Sequence, residues 1–116
     1  MGMELNSETI GNALLVTVCE PRIDAAVAIQ FKDRMREVSD GGPDRVILDM
    51  SAVNFLDSSG LGAVVAVMKF LGKERSFELA GLTPTVAKVF RLTRMDSIFT
   101  IHPDLETAIA PLANAS

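Results

Sequence analysis

The residues with the clearest chemical potential are an acid, two hydroxyls and two glycines in the stretch DSSGLG, residues 57–62. Apolar runs flank this stretch, which therefore lies at a turn between two buried elements. Asp57 or Ser58 can cap the helix that follows, because the first N–H groups of a helix need acceptors. A cap does not account for Gly60 and Gly62, since glycine inside a helix costs about 1 kcal/mol relative to alanine. We therefore expect something to approach this turn closely.

The spacing around the turn does not match the common enzymatic motifs. A nucleophile elbow needs glycine two residues before its serine, where Ser58 has Leu56 and Ser59 has Asp57. No Gly-Lys-Ser/Thr completes a phosphate-binding loop. A triad or zinc site would need histidine, and the single histidine, His102, ends a predicted strand, where we expect a structural or simply exposed residue. An enzyme is thus the hypothesis with the least support, and we expect no metal and no cofactor.

A hydroxyl beside an acid at a helix N-terminus is accessible to another enzyme. Phosphorylation there would add about −1.5 to −2 charges and three acceptor oxygens. The added charge suits the helix dipole but opposes an apolar or acidic partner on the same surface. A loss of only ~1.4 kcal/mol of binding free energy weakens the binding of a partner tenfold. The turn therefore predicts that phosphorylation would switch partner binding off.

Turn signals divide the chain into short elements without a linker or repeat, which predicts a single domain over residues 1–116. The predicted elements are a hairpin of strands 4–10 and 13–19, a helix from Asp24 to the Gly41–Pro43 turn, a strand at 45–50, a helix at 59–71, a strand at 77–82, a helix begun by Thr83 and Pro84, a strand at 97–102 and a helix from Pro103 to about Ala110. The helices link strands in the manner of crossover connections, so we predict an α/β fold with a mixed, mostly parallel sheet and an N-terminal hairpin. Functional residues of such sheets gather at the carboxyl ends of strands, where DSSGLG lies.

The helix predicted after this turn has two apolar arcs. With one residue every 100° or so, the arc expected to face the sheet holds Leu61, Val64, Val65, Met68 and Leu71. The opposite arc carries only one charge and holds Gly62, Ala63, Ala66, Val67, Lys69 and Phe70. Either the closing helix buries this second arc, or the arc is a protein contact patch that includes Phe70. We favour the contact patch.

Composition narrows the classes of partner. The 116 residues carry a net charge of −4 and a pI near 4.9, so we expect neither a nucleic-acid nor a membrane partner. The lone cysteine, Cys19, fits a small buried residue in a reducing compartment. No signal peptide is visible, and the longest apolar run is shorter than the ~20 residues that a membrane span needs, so we expect a cytoplasmic protein.

The stretch MSAVNFLDSSGLGAVVAVMKFL resembles the signature of the STAS domain, named for sulfate transporters and anti-sigma factor antagonists, and especially its free-standing bacterial antagonist branch. Further similar segments are RIDAAVAIQF, FELAGLTPTVAKVFRLTRMDSIFTI and LETAIA, so the resemblance spans about residues 10–110. It implies a sheet with four helices mainly on one face. It also implies a protein that acts as a binding partner.

In this family the unphosphorylated antagonist binds an anti-sigma factor with serine kinase activity and so frees a sigma factor, while a metal-dependent serine phosphatase reverses the phosphorylation. Carried over to this chain, the resemblance implies that Ser58 is phosphorylated, that Asp57 orients the site and that Asp24 lies in the neighbouring loop. Ser59 and Gly60 complete the switch loop. The implied partner-binding residues are Leu61, Gly62, Ala63, Ala66, Val67 and Phe70.

Two departures from the family pattern bear on which kinase is recognised. Glu20-Pro21-Arg22 replaces a glycine that often precedes the first helix, and the usual glycine-rich exit from the second helix is reduced to Gly72. STAS domains also serve as constitutive subunits of transport complexes, such as lipid-trafficking ATP-binding-cassette systems, and this is the alternative function. Two hydroxyls after Asp57 favour the switch, because a constitutive subunit needs only a cap.

Overall fold

The computed structural model describes residues 3–113, with side chains through residue 110. The elements are β1 (Leu5–Ile10), β2 (Ala13–Val18), β3 (Arg22–Ile23), α1 (Ala28–Ser39), β4 (Arg45–Asp49), β5 (Phe55–Leu56), α2 (Ser58–Leu71), β6 (Ser76–Ala80), α3 (Pro84–Leu92), a 3-10 turn (Met95–Ser97), β7 (Thr100–His102) and α4 (Leu105–Ala113). The main sheet has the order β1-β2-β4-β6-β7, in which only the β1–β2 hairpin is antiparallel. The predicted mixed, mostly parallel sheet is therefore confirmed. The ends of the predicted domain, residues 1–2 and 114–116, lie outside the described residues.

Several details differ from the sequence prediction. The last strand begins at Thr100 and not at residue 97, because Met95–Ser97 form the 3-10 turn, and α4 begins at Leu105 instead of Pro103. The first helix begins at Ala28 instead of Asp24, because residues 24–27 form a turn in which Val27 donates to the Asp24 carbonyl at 3.1 Å. The two-residue strands β3 and β5 pair in parallel as a separate small sheet, and they are too short to give a periodic signal. This small sheet carries the chain from β4 into α2.

Helices α1, α2 and α3 cover one face of the main sheet. Alternate strand residues such as Val16, Leu48 and Leu79 point to this face and are fully buried with Phe31 and Phe90 of the helices. This cluster is the main hydrophobic core.

Helix α4 covers the opposite face of the sheet, where Ala108 packs on a smaller cluster of Ala13, Leu15, Ile47 and Ala80. The helices thus lie mainly on one face, three against one. It follows that the closing helix does not bury α2. In residues 3–113 every helix is too short or too polar to cross a membrane.

A polar network lies on the α4 face of the sheet. The Glu78 carboxylate accepts two hydrogen bonds from Arg45, at 2.7 and 2.8 Å, and one from Ser76 Oγ at 3.1 Å. His102 Nε2 lies 2.7 Å from Glu78 Oε1, and Arg45 also donates to the Ala108 carbonyl at 2.9 Å. The network therefore ties β4, β6 and β7 together and links them to α4. His102 has a structural role here, as expected.

The hydrogen bonds from Arg45 hold the pKa of Glu78 far below its ordinary value. They lower this pKa from 4.5 to about 2, with further lowering by His102 and Ser76, while burial opposes the shift. A carboxyl whose pKa is lower in the folded than in the unfolded protein stabilises the fold above the unfolded pKa. That contribution is lost as the pH falls from about 4.5 towards 2.

Glu78→Gln should destabilise the protein at pH 7 and make its free energy of unfolding depend less on pH in the acid range. We expect the free energy of unfolding to fall by about 1.5–3 kcal/mol, because Arg45 loses its carboxylate partner. Urea unfolding between pH 7 and pH 2 measures both effects. Glu8→Gln is the matched control, since Glu8 is exposed on β1. Two results would contradict this role of Glu78: an equal loss of stability in the two variants, or an unchanged pH dependence of the free energy of unfolding in Glu78→Gln.

Candidate functional site

Asp57 joins the two helix starts that border the DSSGLG turn. It is the N-cap of α2, one of the two caps that the sequence allows, and its Oδ1 accepts a hydrogen bond from Gly60 N at 2.8 Å. Its Oδ2 accepts a second hydrogen bond from Ala25 N at 3.1 Å. One carboxylate therefore fixes both the first turn of α2 and the turn that precedes α1. The second bond has no sequence signal, because the two residues are 32 positions apart.

Asp24 fixes the same turn from the other side. Its Oδ1 accepts from Ala26 N at 3.1 Å, and its Oδ2 lies 3.2 Å from Arg22 Nε. The Arg22 guanidinium also lies 4.1 Å from the centre of the Phe55 ring, directly across the β3–β5 pairing. Successive amides of residues 25 and 26 are thus held by Asp57 and Asp24, respectively.

Ser58 and Ser59 are the first two residues of α2, and both are exposed. Neither hydroxyl has a hydrogen-bond partner among the residues that the structure describes. Because Asp57 already supplies the cap, the Ser58 hydroxyl is not needed to complete the helix N-terminus. Both hydroxyls are therefore exposed to solvent.

The structure explains the two glycines of the turn in different ways. A Cβ on Gly60 would lie 2.0 Å from the Ile23 carbonyl oxygen and 2.8 Å from Leu56 Cδ1, so only glycine lets α2 pack on β3. A Cβ on Gly62 would have nothing within 4 Å. The close approach that the sequence predicts is therefore made by the chain's own backbone at Gly60, while Gly62 leaves a shallow, bare place on the surface.

The outward arc of α2 differs from the predicted one. Ala63 is 3% exposed and Val67 is fully buried, so neither can line a docking face. The buried line runs through Gly60, Ala63, Val64, Val67 and Leu71, whereas Leu61, Val65 and Met68 are only half-buried. The sequence prediction placed the bulky apolar residues of α2 against the sheet. The buried line runs instead through the small residues at 60 and 63, because these let α2 come closest to its neighbours.

Phe70 is half-buried and not freely exposed. It packs on the core, and the Arg36 guanidinium of α1 lies 4.4 Å from its ring centre. The accessible surface of α2 therefore consists of residues that are exposed, Ser58, Ser59, Gly62 and Lys69, and of residues that are half-buried, Leu61, Val65, Ala66, Met68 and Phe70. In the described part of the chain, no three His, Cys, Asp or Glu side chains converge so as to hold a metal ion.

Alanine at the two glycines should change stability in opposite directions. Gly60→Ala should lower the free energy of unfolding by about 1–3 kcal/mol or more, because its Cβ would overlap the β3 backbone. Gly62→Ala is the matched control and should raise it by up to about 1 kcal/mol, through helix propensity alone. Thermal and urea unfolding measure both. Equal effects in the two variants would show that α2 does not pack on β3 as described.

The model of the STAS domain family matches residues 4–108 of this chain. A candidate anti-sigma factor antagonist, BtrV of Bordetella bronchiseptica, is 29% identical over 114 residues, which cover 97% of each chain. The anti-sigma-F factor antagonist RsfB of Mycobacterium tuberculosis is 26% identical over 98 residues, which cover 84% of this chain and 80% of RsfB.

A crystal structure of an anti-sigma factor antagonist from Mycobacterium paratuberculosis has the same fold. It superposes with a TM-score of 0.84 at 27% identity, over 97% of this chain and 96% of that one. The family match runs from just before β1 into α4 and includes the whole DSSGLG turn. The chain therefore belongs to the STAS domain family.

Proposed function

We propose that this protein is an anti-sigma factor antagonist controlled by phosphorylation of Ser58. Its unphosphorylated form binds an anti-sigma factor with serine kinase activity and thereby releases a sigma factor. The observation that carries the proposal is the exposed, unbonded Ser58 hydroxyl at the start of α2, beside a cap that Asp57 supplies without it. The names of BtrV, RsfB and the mycobacterial structure support the antagonist role.

The electrostatics of the turn explain how a phosphoryl group would act. A phosphate on Ser58 would lie at the positive end of the α2 dipole, so the helix itself would tolerate it. The Asp57 carboxylate points to the backbone amides of Gly60 and Ala25, and its charge would repel a phosphate from that side. The phosphate would therefore extend into solvent, where a docked partner would otherwise lie.

The surface next to Ser58 makes this added charge costly for binding. Leu61, Gly62 and Ala66 offer apolar or bare contacts that are fully or partly exposed. An interface over them would have to desolvate the phosphate or exclude it, and either penalty can reach several kcal/mol. Phosphorylation would thus end binding without altering the fold.

Reversal of the switch requires a phosphatase, for which we propose a metal-dependent serine phosphatase. Because the phosphoryl donor is ATP, we infer that the cycle runs in the cytoplasm. A constitutive subunit of a transport complex would need only the Asp57 cap, and nothing in such a role calls for the exposed hydroxyl beside it.

Phosphorylation should depend on Ser58 and not on Ser59. We expect the protein to gain the mass of one phosphoryl group when it is incubated with ATP and the serine-kinase anti-sigma factors of its source organism. Intact-mass spectrometry should show the gain in Ser59→Ala and not in Ser58→Ala. The two variants are matched, because Ser58 and Ser59 are adjacent and both exposed. A gain that maps only to Ser59, or no gain with any of these kinases, would refute the proposal.

Charge at residue 58 should weaken capture of the anti-sigma factor. Ser58→Asp should raise the dissociation constant at least about tenfold, whereas Ser58→Asn, similar in size but neutral, should change it much less. Isothermal titration calorimetry measures both. Melting temperatures should stay close to that of the unmodified protein, because Asp and Asn are both accepted at a helix start. Equal affinities for the Asp and Asn variants would show that charge does not operate the switch.

A further inference from the structure

A cavity of about 460 Å³ lies between α3 and β7, away from the DSSGLG turn. Its apolar lining includes the half-buried Leu82 and Ile101, together with Phe90 and Phe99, which are buried in the core. The rings of Phe90 and Phe99 meet edge to face, with centroids 5.7 Å apart and planes at 74°. Small-molecule sites commonly have volumes of roughly 300–1,000 Å³, mostly apolar walls and a few polar groups. By volume and lining, this cavity is of that kind.

The position of the cavity in the sheet is also that of a ligand site. Leu82 follows the end of β6, and His102 is the last residue of β7. The cavity therefore opens at the carboxyl ends of two neighbouring parallel strands. Open α/β sheets bind their ligands at this edge, because loops and helix starts there leave space between layers.

Three polar side chains border the cavity: Arg91 of α3, Asp96 of the 3-10 turn and His102 of β7. Among the described residues, neither Arg91 nor Asp96 takes part in an ion pair. The Arg91 guanidinium is always charged, and its planar fork matches a carboxylate. A cation without a protein partner beside an apolar wall favours an anionic ligand with an apolar body.

Glu78 orients the histidine at the edge of this cavity. The Glu78 carboxylate is ionised in its pairing with Arg45, so it can only accept a hydrogen bond, and His102 Nε2 must donate it. This bond fixes the imidazole ring and leaves Nδ1 without a described partner. The ring is thus a preorganised part of the wall and not a mobile surface side chain.

We propose that this cavity binds a small monocarboxylate with an apolar body, whose carboxylate pairs with Arg91 and whose body lies against the half-buried side chains of Leu82 and Ile101. Asp96 also lines the cavity, so a second negative charge on the ligand would be repelled by this carboxylate. The site is independent of the proposed function, since no residue of the DSSGLG turn lines it.

An NMR titration with 1-naphthoate tests the proposal, with uncharged 1-naphthamide of the same shape for comparison. In ¹H–¹⁵N spectra of the full chain, naphthoate should shift amides around residues 82, 91, 99 and 101, with a dissociation constant of about 1 mM or tighter. Naphthamide should bind at least about tenfold more weakly. Absence of these shifts at about 10 mM naphthoate, or equal binding of the two probes, would overturn the proposal.

Two substitutions at the border of the cavity should change affinity in opposite directions. Arg91→Met removes the charged guanidinium but keeps an unbranched apolar stem, and it should weaken naphthoate binding about tenfold, whereas Lys88→Met, on the same helix but outside the cavity, should leave it unchanged. Asp96→Asn should tighten binding, because it removes the like charge. Equal losses in Arg91→Met and Lys88→Met, or no gain in Asp96→Asn, would show that the cavity does not recognise the anion as proposed.

Discussion

The two hydrogen bonds of the Asp57 carboxylate are the constraint on which the arrangement around Ser58 depends. One oxygen accepts from the first turn of α2, and the other accepts from the turn before α1. Because both acceptors belong to a single planar group, the two helix starts cannot shift independently. The start of α2 that carries Ser58 is therefore held by its neighbour Asp57 and, through it, by Ala25, which is distant in sequence, and it does not rely on a hydrogen bond from the Ser58 hydroxyl.

Close packing beneath the turn completes this arrangement. The missing side chain at Gly60 lets α2 pack on the backbone of β3. Strands β3 and β5 pair in parallel, and the Arg22 guanidinium stacks on the Phe55 ring across this pairing. A rigid base under an exposed hydroxyl favours recognition by a partner, because little conformational entropy is lost when the partner docks. Rigidity below and exposure above together make the turn suitable for a switch.

The order of the main elements could be predicted from the sequence, because hydrophobic periods and turn residues mark them locally. Asp57 as a cap and Gly72 as the end of α2 belong to this class. Contacts between distant segments could not be predicted: the bond from Ala25 to Asp57, the pairing of β3 with β5 and the burial of Ala63 and Val67 all depend on how α2 lies against its neighbours. Small side chains give a weak periodic signal, yet they determine how closely two elements approach.

The bare surface at Gly62 has a consequence for how such proteins diversify. A Cβ added there would have no atom of another segment within 4 Å, so a small side chain at this position costs the fold little. The same position lies one turn along α2 from Ser58, inside the area that the proposed partner would cover. After gene duplication, paralogues could therefore acquire different side chains at this single codon and reject one another's cognate partners, while each copy retains an intact scaffold.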